Sequence, residues 1–261
     1  MFILSGLSEA VNFLTIFKSK GKNDNIYGDS YSYEDSLRKS IKYFPLVGLL
    51  IGIALAAVFY IFDKFLPEGP SVLISIIFLY VITGGLHFDG LSDTTDGLFA
   101  FLKSGDKTRF YKAMKDVNAG IAGNAAIIFY VLIMWSLISN ADVNFIYLSL
   151  ITFPVVGRYS IVTMSYFSDT PDNFNGIGAV FTKATGKMSF IAASILTFII
   201  IYLLLHIIGV FSLLATVFIM LLIAFYFAGR FGGVNGDILG FTVKISEVVY
   251  LIALSGLHGI F

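Results

Sequence analysis

Three aspartates, Asp89, Asp93 and Asp96, have the types and spacing in this chain best suited to chemistry. They lie in the run Thr83-Gly-Gly-Leu-His-Phe-Asp-Gly-Leu-Ser-Asp-Thr-Thr-Asp-Gly97. On a helix, positions i, i+4 and i+7 share one face. Like charges on one face repel by roughly 0.2–0.5 kcal/mol per exposed pair, and by more at a membrane boundary. A cation among the carboxylates removes that repulsion. An all-oxygen donor set suits Mg²⁺, which keeps waters and takes phosphate oxygens as further ligands. The pattern therefore points to metal-assisted chemistry on a phosphate, with Asp89, Asp93 and Asp96 as catalytic carboxylates and metal ligands. The competing reading is a solvated acidic turn. Gly84, Gly85, Gly90 and Gly97 lower the helix propensity around the acids and fit close approach of a bulky ligand or a neighbouring helix. Gly84, Gly85 and His87 are accordingly substrate-binding candidates.

A second polar knot, Lys115-Asp116-Val117-Asn118-Ala119-Gly120, opens an apolar stretch. Asp116 either completes the metal set or caps a helix, and Lys115 and Asn118 are suited to meeting a phosphate. Arg158 stands alone in an apolar segment. A buried arginine needs a partner, either a phosphate held in a bidentate grip or a structural carboxylate. The loop Gly232-Gly-Val-Asn-Gly-Asp237-Ile-Leu-Gly240, followed by Lys244 and Glu247, is read as linking the last two spans. Asp237 either reaches the same site or belongs to an ordinary tight turn. Asn173 to Phe181, with Gly176 and Gly178, is a further glycine-containing loop. Between the two acidic knots, Lys103, Lys107, Arg109, Lys112 and Lys115 alternate with Phe99, Phe101, Phe110 and Tyr111, as in an interfacial helix touching anionic lipid headgroups.

The elements that must position these residues are apolar. The 261 residues are 57% hydrophobic and only 13% charged, with mean hydropathy +0.87. A soluble domain carries about 25% charge, so lipid is the expected solvent. Charge-poor stretches predict about seven helices, at residues 44–62, 69–86, 117–141, 143–167, 188–208, 209–229 and 248–261. The break in the long apolar run is placed near Gly209. Helices satisfy their own backbone in lipid, and the alternation of a barrel is missing. The expected fold is all-α, a polytopic transmembrane bundle forming one catalytic domain over residues 1–261, with residues 1–17 as an amphipathic interfacial helix. With seven spans, nearly every lysine and arginine falls on the side of the acids and only Lys64 on the other. That asymmetry puts the site on the cytoplasmic face of the cell (inner) membrane.

Other chemistries find no support. Zero net charge gives no bulk field for nucleic acid, and the absence of cysteine removes thiolate sites and disulfides. No HExxH, GxSxG or Walker pattern is present. No cleavable signal pattern opens the chain. His206, His258 and Trp135 read as packing or interface residues.

These motifs resemble, in order, those of the cobalamin synthase (adenosylcobinamide-GDP ribazoletransferase) family. The Thr83–Gly97 run is similar to its TGGLH-hydrophobic-DGLADTxDG signature. Met114-Lys-Asp116 with Gly120 and Gly123 resembles its MKDxxxGxxG segment, and Phe44-Pro-Leu-Val-Gly48 with Gly52 its FPLVGxxxG motif. Gly232 to Gly240 with Glu247 resembles its GGxxGDxxG loop. One departure is Ile16, where the family pattern has arginine. The resemblance implies a Mg²⁺-dependent transferase. A ribose hydroxyl of α-ribazole, or of its 5′-phosphate, attacks the corrinoid-side phosphorus of adenosylcobinamide-GDP. Cobalamin (or its 5′-phosphate) and GMP leave, which is the final step of nucleotide-loop assembly. The alternative is a CDP-alcohol phosphotransferase, which shares Asp93-x-x-Asp96-Gly97. Its pattern continues with Ala-Arg, whereas Leu98-Phe99-Ala100-Phe101 follows here. A transporter would place its ionisable groups mid-membrane. Expected partners are the two substrates and membrane lipid, with a homo-oligomer left open.

Overall fold

A computed structural model describes residues 2–18, 36–116, 118–171 and 177–258. Residues 19–35, and 172–176 with the first part of the Asn173–Phe181 loop, lie outside the described residues. The described chain is helical throughout, without strands, as its composition requires. The helices are α1 (Phe2–Leu14), α2 (Phe44–Phe62), α3 (Glu68–Thr83), α4 (Leu86–Ser104), α5 (Lys107–Met114), α6 (Ile121–Ser139), α7 (Val143–Phe167), α8 (Ile177–Ala184), α9 (Lys187–Phe231) and α10 (Gly236–His258).

Five helical stretches are long and apolar enough to cross a membrane, and a sixth is obtained if α3 and α4 count as one broken span. The 45-residue α9 is two helices joined at His206, whose backbone is non-helical (φ 49°, ψ −140°). The chain doubles back there. A Cβ added to Gly209 would lie 3.3 Å from the Ile201 carbonyl oxygen, a separation that eight residues of straight helix, at about 1.5 Å each, cannot give. Both ends of α9 also reach one face. Phe190 stacks on Tyr166 at 4.4 Å near the end of α7, and just beyond α9 the Val234 amide donates to the Asp169 carbonyl. Splitting α9 brings the crossing segments to seven. The break falls at His206 rather than Gly209, so the left-handed turn is taken by a histidine while the glycine supplies the close approach of the two arms.

Helix α7 is the central post. Its apolar window is 83% buried, and α2, α9 and α10 all pack on it. Gly48 and Gly52 of α2 press onto the backbone of Pro154 and Ile151, the small-residue contact that lets helices approach where lipid offers no hydrophobic drive. By contrast α6 is only 22% buried over its window, with Ile128, Phe129 and Leu132 facing outward.

Two boundaries depart from the sequence reading in ways that matter for chemistry. The second span ends at Thr83, and Gly84 and Gly85 then adopt left-handed backbone (φ 60° and 76°), open to glycine without strain. The axis turns by 93°, so α4 lies across one end of the bundle instead of continuing the span. The last helix starts at Gly236 and not at 248, which places Lys244 and Glu247 inside it. Their charges masked a span because each is neutralised within the bundle.

Candidate active site

Helix α4 carries Asp89, Asp93 and Asp96 along one face, as their spacing predicts. It is held against the start of α10 by a glycine contact. A Cβ on Gly90 would come within 2.6 Å of the Asp237 carbonyl oxygen and 2.9 Å of Gly240 Cα. That approach places Asp237, in the first turn of α10, beside the α4 acids. Asn235 fixes the turn, its Oδ1 accepting from the Ile238 amide at 2.9 Å, a helix N-cap. Gly90→Ala is expected to push α4 off α10. Overpacking of about 1–3 kcal/mol should appear as a lower melting midpoint together with at least tenfold lower turnover; unchanged turnover would show that the contact does not set the site.

The other three carboxylates act on Asp93. Burial first, and then the charges of Asp237, Asp89 and Asp96, push the Asp93 carboxyl up to about 6. Asp89 is also raised by burial. A raised carboxyl binds its proton more tightly in the folded state, so folding stability falls as pH rises through the interval from about 3.8 to about 6. In chelator-treated detergent solution the melting midpoint should therefore climb as pH is lowered from 7 toward 5. Asp93→Asn should flatten that slope, which thermal unfolding followed by intrinsic fluorescence reads directly.

The acids are not equivalent. Asp96 accepts from the Gly120 amide at 2.7 Å and the Gly123 amide at 2.9 Å, so both its oxygens hold the N-terminus of α6, where a negative charge is favoured. Gly120 and Gly123 are needed there because a Cβ on either would collide with the Asp96 carboxylate. Asp116 does not cap α6. Its Oδ1 accepts from the Asn118 amide at 3.0 Å and the Asn118 side chain at 3.3 Å, closing a local turn, while α6 takes its carboxylate from Asp96. Lys115 and Asn118 are exposed. Among the described residues no three acidic or histidine side chains are poised to hold a metal ion by themselves. The donor set offers oxygen alone, which fits an ion completed by water and a diphosphate rather than one caged by protein.

Arg158 is fully buried and paired with a carboxylate. Its Nη1 donates to Glu247 Oε1 at 2.6 Å. Lys244 Nζ donates to Glu247 Oε2 at 3.0 Å, and Tyr130 donates its hydroxyl to the same oxygen at 2.6 Å. Lys244 also stands 4.1 Å over the Phe88 ring. This cluster ties α4, α6, α7 and α10 together about 12 Å below the acid face, counting eight residues from Gly236. Sequence reading missed it because Lys244 and Glu247 were taken for a loop; their spacing of three with Tyr250 beyond, all in an apolar run, was the signal available.

Beside Asp237, at the start of α10, lies a cavity of about 330 Å³. Phe13, Leu86, Ile161, Phe181 and Leu239 give it apolar walls, and His87, Asn235 and Asp237 are its polar members. His87 is buried in its wall.

Comparison with known proteins agrees with this geometry. Residues 6–255 match the family described as cobalamin-5-phosphate synthase. Among similar proteins are those named adenosylcobinamide-GDP ribazoletransferase from Clostridium novyi (32% identical, covering 87% of this chain and 89% of the relative), Acetivibrio thermocellus (32%, covering 84% and 87%) and Clostridioides difficile (33%, covering 84% and 88%). No solved structure matches. These matches favour the first reading of the motifs over the CDP-alcohol alternative. With nearly its whole length matched, the chain belongs to the cobalamin-5-phosphate synthase family.

Proposed function

We propose that this enzyme joins adenosylcobinamide-GDP to α-ribazole or its 5′-phosphate, giving adenosylcobalamin or its 5′-phosphate and releasing GMP. The observation that carries the reading is the meeting of Asp89, Asp93 and Asp237 at one end of the bundle, where Gly90 of α4 abuts the Asp237 backbone, in a chain of this family.

A diphosphate resists attack because its oxygens are anionic. Asp93, with Asp89 and Asp237, would hold Mg²⁺, which supplies charge neutralisation on the diphosphate and on the departing GMP. Asp96 orients α6 and thereby the Lys115–Asn118 turn, which presents a cation and amides to phosphate oxygens. One of the unengaged carboxylates accepts the proton of the attacking hydroxyl. Arg158 acts at a distance from this chemistry, as part of the buried ion cluster, and His87 belongs to the cavity wall.

The acid face is read as cytoplasmic. Lys103, Lys107, Arg109, Lys112, Lys115, Lys187 and Arg230 belong to the helix ends and connections on that face, against Lys64 on the other, and such bias marks the inside of a cell membrane. The test is release of labelled GMP from labelled adenosylcobinamide-GDP by purified protein. It should require α-ribazole or its phosphate and be abolished by chelation and restored by Mg²⁺. Release without the nucleoside, or insensitivity to chelation, would refute the acceptor or the metal respectively.

A further inference from the structure

The cavity beneath Asp237 has a chemistry distinct from the acidic face that opens beside it. Its walls are hydrocarbon and aromatic. Phe181 packs edge-on against Phe13 at 5.0 Å and against Phe44 at 5.3 Å, so the aromatic wall is braced from α1 and α2. Its polar members are few. Asn235 Oδ1 is committed to the α10 cap, and Asp237 faces the other acids. His87 is 3% exposed, and among the described residues its Nδ1 has no hydrogen-bond partner.

Each fragment of the two substrates makes a different demand on such a space. At about 330 Å³ the cavity is at the lower end of ligand pockets, room for a nucleoside base but not for a corrinoid macrocycle with its amide arms. Guanine carries donors and acceptors around most of its edge. Buried against Phe13, Phe181, Ile161 and Leu239 they would go unpaired, each at about 1–3 kcal/mol. A fused ring with an apolar carbocyclic edge and one free ring nitrogen demands one polar partner, and His87 Nδ1 is the one buried and unused.

We propose that this cavity seats the base of the acceptor nucleoside, a flat, largely apolar fused ring, so that its ribose emerges beside Asp237 and the α4 carboxylates. The assignment rests on the joining reaction given above. It explains why cavity and acids share Asp237. The base is anchored on one side of that residue and the hydroxyl to be activated is delivered on the other. His87 meets the ring nitrogen through Nδ1, the buried atom left unpaired among the described residues.

The test uses the full chain in detergent micelles, with α-ribazole and GMP as separate probes by calorimetry. Ala179 lines the cavity, and Ala179→Phe projects a ring into it. It should weaken α-ribazole binding at least tenfold while GMP affinity stays within twofold, and in turnover the KM for α-ribazole should rise while that for adenosylcobinamide-GDP does not. Undiminished α-ribazole affinity in Ala179→Phe, or a parallel loss of GMP binding, overturns the assignment. Should that variant not fold, wild-type protein decides: the free base of α-ribazole should displace α-ribazole and leave GMP bound, and failure to compete overturns the proposal. Absence of GMP release by wild-type enzyme would instead refute the reaction. Release that persists with an unaltered α-ribazole KM in Ala179→Phe refutes only the seat.

Discussion

Glu247→Ala should be the most damaging single substitution for the fold. The change leaves Arg158 and Lys244, both fully buried, with no carboxylate, and strips Tyr130 of its acceptor. Removing one partner of a buried ion pair costs about 3–5 kcal/mol, a large part of the roughly 5–15 kcal/mol that keeps a domain folded. Here two cations are stranded, and Arg158 Nε and Nη2 already lack partners among the described residues. The expected result is little monodisperse protein from detergent extraction and a sharply lowered melting midpoint. Glu247→Gln should be milder, since the amide oxygen still accepts. A combined replacement of Arg158, Lys244 and Glu247 by apolar residues of similar volume should recover much of the stability, because the desolvation of three charges disappears with them. A Glu247→Ala protein that melts with the wild type would show that the cluster does not hold the helices together. Arg158→Lys belongs to the same account: a point charge replaces a fork, and its effect should appear in stability rather than in a Michaelis constant.

Asp93→Asn should be the most damaging for turnover. Among the described residues the Asp93 carboxylate makes no hydrogen bond with the protein, and it carries the largest repulsion from the other acids. Nothing structural is lost with its charge, and without divalent cation the variant should be at least as stable as wild type above pH 6. Its rate of GMP release should fall on the order of 1,000-fold or more, the equivalent of about 4 kcal/mol of lost charge stabilisation. Asp96→Asn is the informative contrast. An amide cannot accept from both Gly120 and Gly123, so one buried donor faces another and about 1–3 kcal/mol of stability goes with the activity. Rate loss with intact stability at Asp93, and rate loss with lowered stability at Asp96, would separate a carboxylate that works on substrate from one that holds a helix. Near-normal turnover in Asp93→Asn would overturn the metal assignment.

What the sequence determined by itself is the part governed by local chemistry. Hydropathy alone located α2 and α7 to the residue, because lipid demands an unbroken apolar stretch wherever a helix is exposed to it. The i, i+4, i+7 spacing placed three carboxylates on one face of α4, since that periodicity follows from 3.6 residues per turn. The glycines were noticed, yet only the fold assigns their work: Gly84 and Gly85 turn the chain by 93°, and Gly90 admits the α10 backbone. Pairings between distant segments could not be read in advance. Asp96 reaches across 24 residues to Gly120, and Arg158 finds Glu247 across 89. A charge inside lipid is intolerable alone and acceptable beside its opposite, so Lys244 and Glu247 looked like loop residues until their partner was known. The tertiary structure decided which acids are left unengaged by the protein, which hold helices, and where a cavity opens beside them, because each outcome depends on contacts that no stretch of chain contains.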